Sequence, residues 1–142
     1  MIDTSQREAS ARAGIGGWLL LLCRLLIVFH PLSLAVTASS VLNALFVRGA
    51  PVAIVLIIRL AVVAFGVAAG RALQNLRQDA VALARLALLM SAATDVFVYT
   101  TPYFPSNRLP GDTTFYVVAS LAYHGAWLAY LARSKRVRQT FG

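Results

Sequence analysis

Apolar residues run almost unbroken through four stretches of the chain, residues 15–36, 51–70, 80–100 and 113–131, and the polar residues gather between them. Each stretch is about the length a helix needs to cross a hydrocarbon core of roughly 30 Å at about 1.5 Å rise per residue. The pattern predicts an all-α fold: a polytopic membrane protein built as a four-helix transmembrane bundle, one domain over residues 1–142. Short connections are expected near residues 41–50 and 71–79, with a proline-rich loop over 102–112 and a polar tail at each end. Pro31 falls inside the first stretch and should kink that helix or end it early. If the helix ends there, residues 41–47 become a short amphipathic helix on the outer surface. No internal repeat is visible.

Composition agrees with this reading and narrows it. Hydrophobic residues make up 59% of the chain and charged residues 13%, with a mean hydropathy of +0.73, outside the range of soluble domains. With 142 residues, four spans leave no room for a soluble domain beside them. Cys23 is the only cysteine, so no disulfide forms within the chain, and membrane thiol oxidases that need paired cysteines are disfavoured. The first stretch could be read as a signal peptide cleaved near Ala38, but its length and the interruption at Arg24 oppose that.

Charge then sets the threading. Taking alternate connections together places Arg7, Arg12, Arg71, Arg77, Arg133, Lys135, Arg136 and Arg138 on one side, and only Arg48 and Arg108 on the other. Short loops rich in Lys and Arg stay cytoplasmic. Both termini are therefore expected on the cytoplasmic side of the membrane. The formal net charge of +8 is mostly a topology signal, and no nucleic-acid partner is expected. Trp18, Trp127 and Tyr130 suit the headgroup layer on the cytoplasmic side, and Tyr99, Tyr103, Phe104 and Tyr116 the outer one.

Candidate chemistry lies with the ionisable residues inside the apolar stretches: Arg24, His30, Arg59, Arg85, Asp95 and His124. Such groups are costly in lipid and face the bundle, water or headgroups. Counting from the predicted helix ends puts Arg24, Arg85 and His124 roughly 10 Å inside the cytoplasmic boundary. Arg59 falls near the midplane, and Asp95 and His30 in the outer half. The inner group, extended by Arg133, Lys135, Arg136 and Arg138, is a candidate site for anionic lipid, with snorkelling to the headgroups as the plainer use of Arg24 and Arg85. Arg59, Asp95 and His30 form a candidate intramembrane polar set: a structural ion pair or hydrogen bond, or a titratable carrier centred on Asp95. Two histidines in a four-helix bundle can hold a haem, but the count separates His30 from His124 by roughly 10 Å along the normal, so no cofactor and no metal are expected.

Gly66 and Gly70 form a small-xxx-small pattern that suits close packing within the bundle, with a homo-oligomer face as the alternative. Tyr116, Tyr123, Trp127 and Tyr130 share a helix face, a stripe that serves packing and interface anchoring. The sequence holds no nucleophile–base arrangement, glycine-rich phosphate loop or carboxylate pair, so the protein is not expected to be an enzyme.

Two terminal motifs add a resemblance. Gly14-Ile15-Gly16-Gly17-Trp18-Leu19-Leu20 opens the first helix, and Ser134-Lys135-Arg136-Val137-Arg138-Gln139-Thr140-Phe141 closes the chain after Tyr130-Leu131-Ala132-Arg133. Together they resemble the small bacterial inner-membrane family called domain of unknown function 2569, which has four helices, a Gly-Gly-Trp-Leu start and a Ser-x-Arg-Val-x-x-Thr-Phe end. Arg138 stands where that family usually has Lys. The resemblance brings no activity and no catalytic residue. The expected function is a non-enzymatic accessory module that binds anionic membrane lipids or a larger membrane protein. A small proton-coupled transporter or exporter using Asp95 is the alternative.

Overall fold

The structure, a computed structural model, describes residues 15–103 and 111–141. Expectations that fall on Arg7, Arg12, Gly14, Phe104 and Arg108 lie outside the described residues. Four helices are long and apolar enough to cross a membrane: α1 (Trp18–Arg48), α2 (Ala50–Gln74), α3 (Ala80–Thr100) and α4 (Thr113–Arg133). A short α5 (Lys135–Phe141) follows. Helices adjacent in sequence pack side by side, α1 on α2, α2 on α3 and α3 on α4. Large apolar side chains such as Val28, Leu32, Ile54, Ile57, Leu89, Phe115 and Val118 point outward, as a surface facing lipid requires. The chain is a multi-pass membrane protein of all-α architecture.

The first helix departs from expectation. It neither ends at Pro31 nor leaves a loop over residues 41–50; it runs on to Arg48. Two devices allow this. Residues Leu25–Phe29 form a π turn, in which the His30 N–H reaches back five residues to the Leu25 carbonyl. The widened turn absorbs the hydrogen bond that Pro31 cannot donate, so the helix continues. Beyond it, Thr37, Ser39 and Ser40, which read as loop residues, donate their hydroxyls to the carbonyls of Ser33, Val36 and Thr37 at 2.9, 2.9 and 2.8 Å. Their polar groups are thus satisfied inside the helix. The turn to α2 is Gly49 alone, at φ 68° and ψ −146°, a conformation open to glycine and strained for other residues. Pro51 then sits in the first turn of α2, where no intrahelical donor is needed.

The α2–α3 turn closes differently. Leu76 takes a left-handed φ of 52°. The Arg77 N–H bonds the Ala72 carbonyl and the Leu76 N–H bonds the Leu73 carbonyl, both at 3.1 Å, which is a Schellman ending with leucine in the usual glycine position. Arg77 forks onto Asp79 with bonds of 3.0 and 2.7 Å.

Two apolar clusters hold the bundle, one toward each end. Leu19, Leu22, Cys23, Leu26, Leu73, Ala84, Leu88, Trp127 and Leu131 form the larger, at the end where the described chain begins and finishes. Val41, Val52, Val55 and Val98 form the smaller, at the opposite end. Gly70 lies so close to α1 that a Cβ there would sit 2.7 Å from Ile27 Cγ1, whereas at Gly66 the nearest atom is Leu26 Cδ2 at 3.9 Å. Both glycines thus face α1, and the close approach is at the π turn.

The two terminal motifs meet. Ser134 Oγ accepts the Val137 N–H at 3.4 Å and caps α5. Val137 is buried in the large cluster, and Ile15 and Phe141 pack against it. The Arg136 guanidinium lies over the backbone at Gly16, where a Cβ would come 2.8 Å from its Nη2. Gly17, at φ 57° and ψ −131°, turns the chain into α1, and the Trp18 ring meets Trp127 edge-on at 6.2 Å. Both ends of the described chain therefore lie together, as an even number of spans requires.

Candidate functional site

Between the two apolar clusters, all four spanning helices contribute polar side chains to one connected group. Arg59 of α2 donates from Nη1 to Asp95 Oδ1 of α3 at 3.0 Å. The side chains keep 23% and 19% of their exposure, so the pair is part-buried rather than sealed. Ser120 of α4 donates its hydroxyl to Asp95 Oδ2 at 3.0 Å. His124, one turn further along α4, places Nδ1 2.8 Å from the Ser120 carbonyl and 3.3 Å from Ser120 Oγ. His30 of α1 lies beside it, with ring centroids 6.4 Å apart, and the Tyr123 ring is 6.4 Å from His30.

In a neutral His124 ring, these distances set which nitrogen carries the hydrogen. A carbonyl only accepts, so His124 Nδ1 carries the hydrogen at the 2.8 Å contact. The Ser120 hydroxyl hydrogen is then free for Asp95. Each carboxylate oxygen has one donor, one of them charged, and charge-assisted bonds of this kind are the strong ones. His124 Nε2 is left as an acceptor. It is buried and has no hydrogen-bond partner, on a residue only 4% exposed.

A cavity of about 130 Å³ adjoins this group, lined by His30, Ser33, Arg59, Ser91, Thr94 and Asp95 among others. Ser91 is 8% exposed, and Thr94 returns its hydroxyl to the Met90 and Ser91 carbonyls at 3.0 and 2.9 Å. The volume is close to that of an engineered apolar cavity, about 150 Å³, that takes one benzene. It is large enough for a few waters or a small solute. An apolar groove of about 220 Å³ lies between α2 and α3, lined by Val55, Ile58, Ala93 and Phe97 and sharing Arg59 and Thr94 with the cavity.

The structure places the sequence candidates as follows. Arg59, Asp95 and His30 come together, and His124 joins them instead of lying level with Arg24 and Arg85. The separation of roughly 10 Å between the histidines, on which a haem was set aside, does not hold. That count took α1 to end at residue 36 and α4 at 131, whereas α1 runs twelve residues further, which moves His30 toward its middle. Arg85 donates from Nη2 to the Leu131 carbonyl at 3.0 Å, at the negative end of the α4 dipole. Arg24 is exposed on α1 and forms no hydrogen bond or ion pair with the described residues. Arg133, Lys135 and Arg138 are exposed beside α5; Arg138 Nη2 reaches the Arg133 carbonyl at 3.5 Å, and Arg136 covers Gly16. Among the described residues no three His, Cys, Asp or Glu side chains gather as metal ligands. Ser120 escaped the sequence reading; its spacing of four from His124 on one helix face was the available signal.

Comparison with known proteins covers nearly the whole length of the chain. The sequence matches DUF2569, a family described as protein of unknown function, over residues 12–142. The chain belongs to the DUF2569 family. The match takes in both motifs that the fold joins, the Gly-Gly-Trp start and the α5 segment. Neither a curated protein nor a solved structure matches the chain.

Proposed function

We propose that this DUF2569 protein is a non-enzymatic module of the bacterial inner membrane, with both ends cytoplasmic, whose basic end binds anionic lipid or the acidic face of a larger membrane protein. The observation that carries this reading is the docked α5. Its cap, its buried Val137 and the Arg136–Gly16 contact hold Arg133, Lys135 and Arg138 on the same end of the bundle as Arg24 and Arg71. Asp79, the acid in the α2–α3 turn at that end, is already bonded to Arg77. A basic residue near an anionic leaflet is worth about 1 kcal/mol, so a fixed group of them favours anionic headgroups. The non-enzymatic part is supported by the direction of the bonds around Ser120. Its hydroxyl donates to Asp95, a carboxylate already paired with Arg59, and the short contact of His124 is to a carbonyl rather than to that hydroxyl, so the arrangement is not a serine–histidine nucleophile pair.

The test is lipid retention. Purified protein is analysed by native mass spectrometry after exchange into nanodiscs of mixed neutral and anionic lipid. Anionic lipid should be enriched on the protein, and the triple variant Arg133→Gln, Lys135→Gln, Arg138→Gln should lose that enrichment. Equal retention of neutral and anionic lipid would refute the reading.

The cavity favours a second reading, a small proton-coupled transporter. A polar cavity beside an intramembrane ion pair is where such a carrier works. Proteoliposome flux driven by a pH gradient, compared between the native protein and Asp95→Asn, tests it; unchanged flux in the variant removes Asp95 from the carrier.

A further inference from the structure

The Arg59–Asp95–Ser120–His124–His30 chain has a direction, and the direction ends at an orphan. Arg59 and Ser120 both donate to Asp95, so the carboxylate is held as an anion by one charged and one neutral hydrogen bond. His124 Nδ1 is committed to the Ser120 carbonyl. What remains open is the lone pair on His124 Nε2, buried and unpartnered. The nearest imidazole is His30, which lines the cavity that also holds Ser33, Ser91 and Asp95.

We propose that His30 and His124 form a proton-binding site fed from the cavity, and that Asp95 is its fixed counter-ion rather than the group that titrates. A proton arriving through cavity water reaches His30, which lines the cavity, and is shared with the buried Nε2 lone pair of the neighbouring His124, whose Nδ1 is held by the Ser120 carbonyl. No bond other than an imidazole N–H forms, and water or hydronium gives up the proton. The shorter His124 Nδ1 contact, 2.8 Å, is to the Ser120 carbonyl and leads away from Asp95; the Ser120 hydroxyl, at 3.3 Å, is the longer one. The pair holds a single proton: two imidazoliums with ring centres 6.4 Å apart repel, and Arg59 stands nearby. The charged and titratable groups facing the pair are Arg59 from α2, Asp95 and Tyr99 from α3, and Tyr123 from α4. Cys23 on α1 and Arg85, which reaches α4 at Leu131, lie about two turns away along the helices.

The inference deepens the transport reading, on which any use of the proton in flux rests, but its test reads proton binding alone. The full-length protein, with ¹⁵N-labelled histidine and ¹³C-labelled aspartate, is titrated in nanodiscs between about pH 8 and 5, across the usual histidine range. At high pH the His124 signals should report a protonated Nδ1 and a bare Nε2. On acidification the two histidines together should take up one proton per chain, and the Asp95 carboxyl shift should stay that of a carboxylate. His30→Gln removes the imidazole that lines the cavity, so His124 should no longer gain a proton over this range. Where His124→Gln fails to fold, the native titration and His30→Gln decide. A protonated Nε2 on His124 at high pH, uptake of two protons as by two independent histidines, or protonation of Asp95 ahead of the pair would each overturn the proposal. Flux is measured separately: no pH-driven flux through the native protein, with an intact titration, removes the transport reading and leaves the proton site standing.

Discussion

At the scale of single residues, the sharpest constraints are close approaches of backbone. Gly70 faces Ile27 and Leu26 in the π turn of α1, where a Cβ would lie 2.7 and 3.2 Å from their side-chain atoms. Gly70→Ala should therefore push α1 from α2 and cost about 1–3 kcal/mol, as overpacking does. Gly66→Ala, whose nearest neighbour is 3.9 Å away, should be neutral or stabilise by up to about 1 kcal/mol through helix propensity. Unfolding of the two variants in mixed micelles, followed by circular dichroism, separates them, and equal behaviour would show that the close contact is unimportant. Leu76 offers the opposite case. It occupies the left-handed position of a Schellman ending, so Leu76→Gly should raise stability by about 1 kcal/mol, read as a higher unfolding midpoint. The sequence discloses the charged members of the site because Arg59 and Asp95 stand out in apolar surroundings. Ser120 does not stand out, since serine is common in membrane helices, and the pairing of His30 with His124 depended on helix ends that pattern alone placed wrongly.

At the scale of elements, apolar pattern locates α2, α3 and α4 to within a few residues but misjudges α1. Hydropathy sees Thr37, Ser39, Ser40 and Pro31 as breaks. The fold removes each break locally, the hydroxyls by bonding carbonyls one turn back and the proline by a widened turn. Neither device leaves a trace in a hydropathy profile, because both act through backbone hydrogen bonds. The basic C-terminal segment is the reverse: its charge was legible, its docking was not. What docks it is one buried valine with a terminal phenylalanine and a serine cap, too few residues to form a periodic pattern. Val137→Asp should release α5 while leaving the four spans in place. Limited trypsin digestion would then cut at Lys135, Arg136 and Arg138 several-fold faster than in the native protein, with little change in helix content. An unchanged digestion rate would mean that the Arg136–Gly16 contact alone holds the segment.

At the scale of the molecule, the arrangement is an apolar cluster toward each end with a polar group between, in which charge and hydrogen bonds tie α2, α3 and α4 and ring contacts join His30 of α1. A buried ion pair is a poor source of stability in itself, since desolvation offsets much of the attraction, but breaking it is costly because one charge is left without its partner. Arg59→Met leaves the Asp95 carboxylate with Ser120 as its remaining donor among the described contacts. The expected loss is about 3 kcal/mol, the low end for a buried pair, because the native side chains are 23% and 19% exposed. Arg59→Met combined with Asp95→Leu removes both charges and fills the volume with apolar atoms, so the double variant should unfold later than Arg59→Met alone. That ordering distinguishes two designs. If stability returns in the double variant, the ion pair does not hold the bundle together and is retained for what it does to its neighbours: fixing the Ser120 hydroxyl, and through it the protons on His124. If the double variant is the least stable of the three, the pair is the clamp between α2 and α3, and the histidines merely border it.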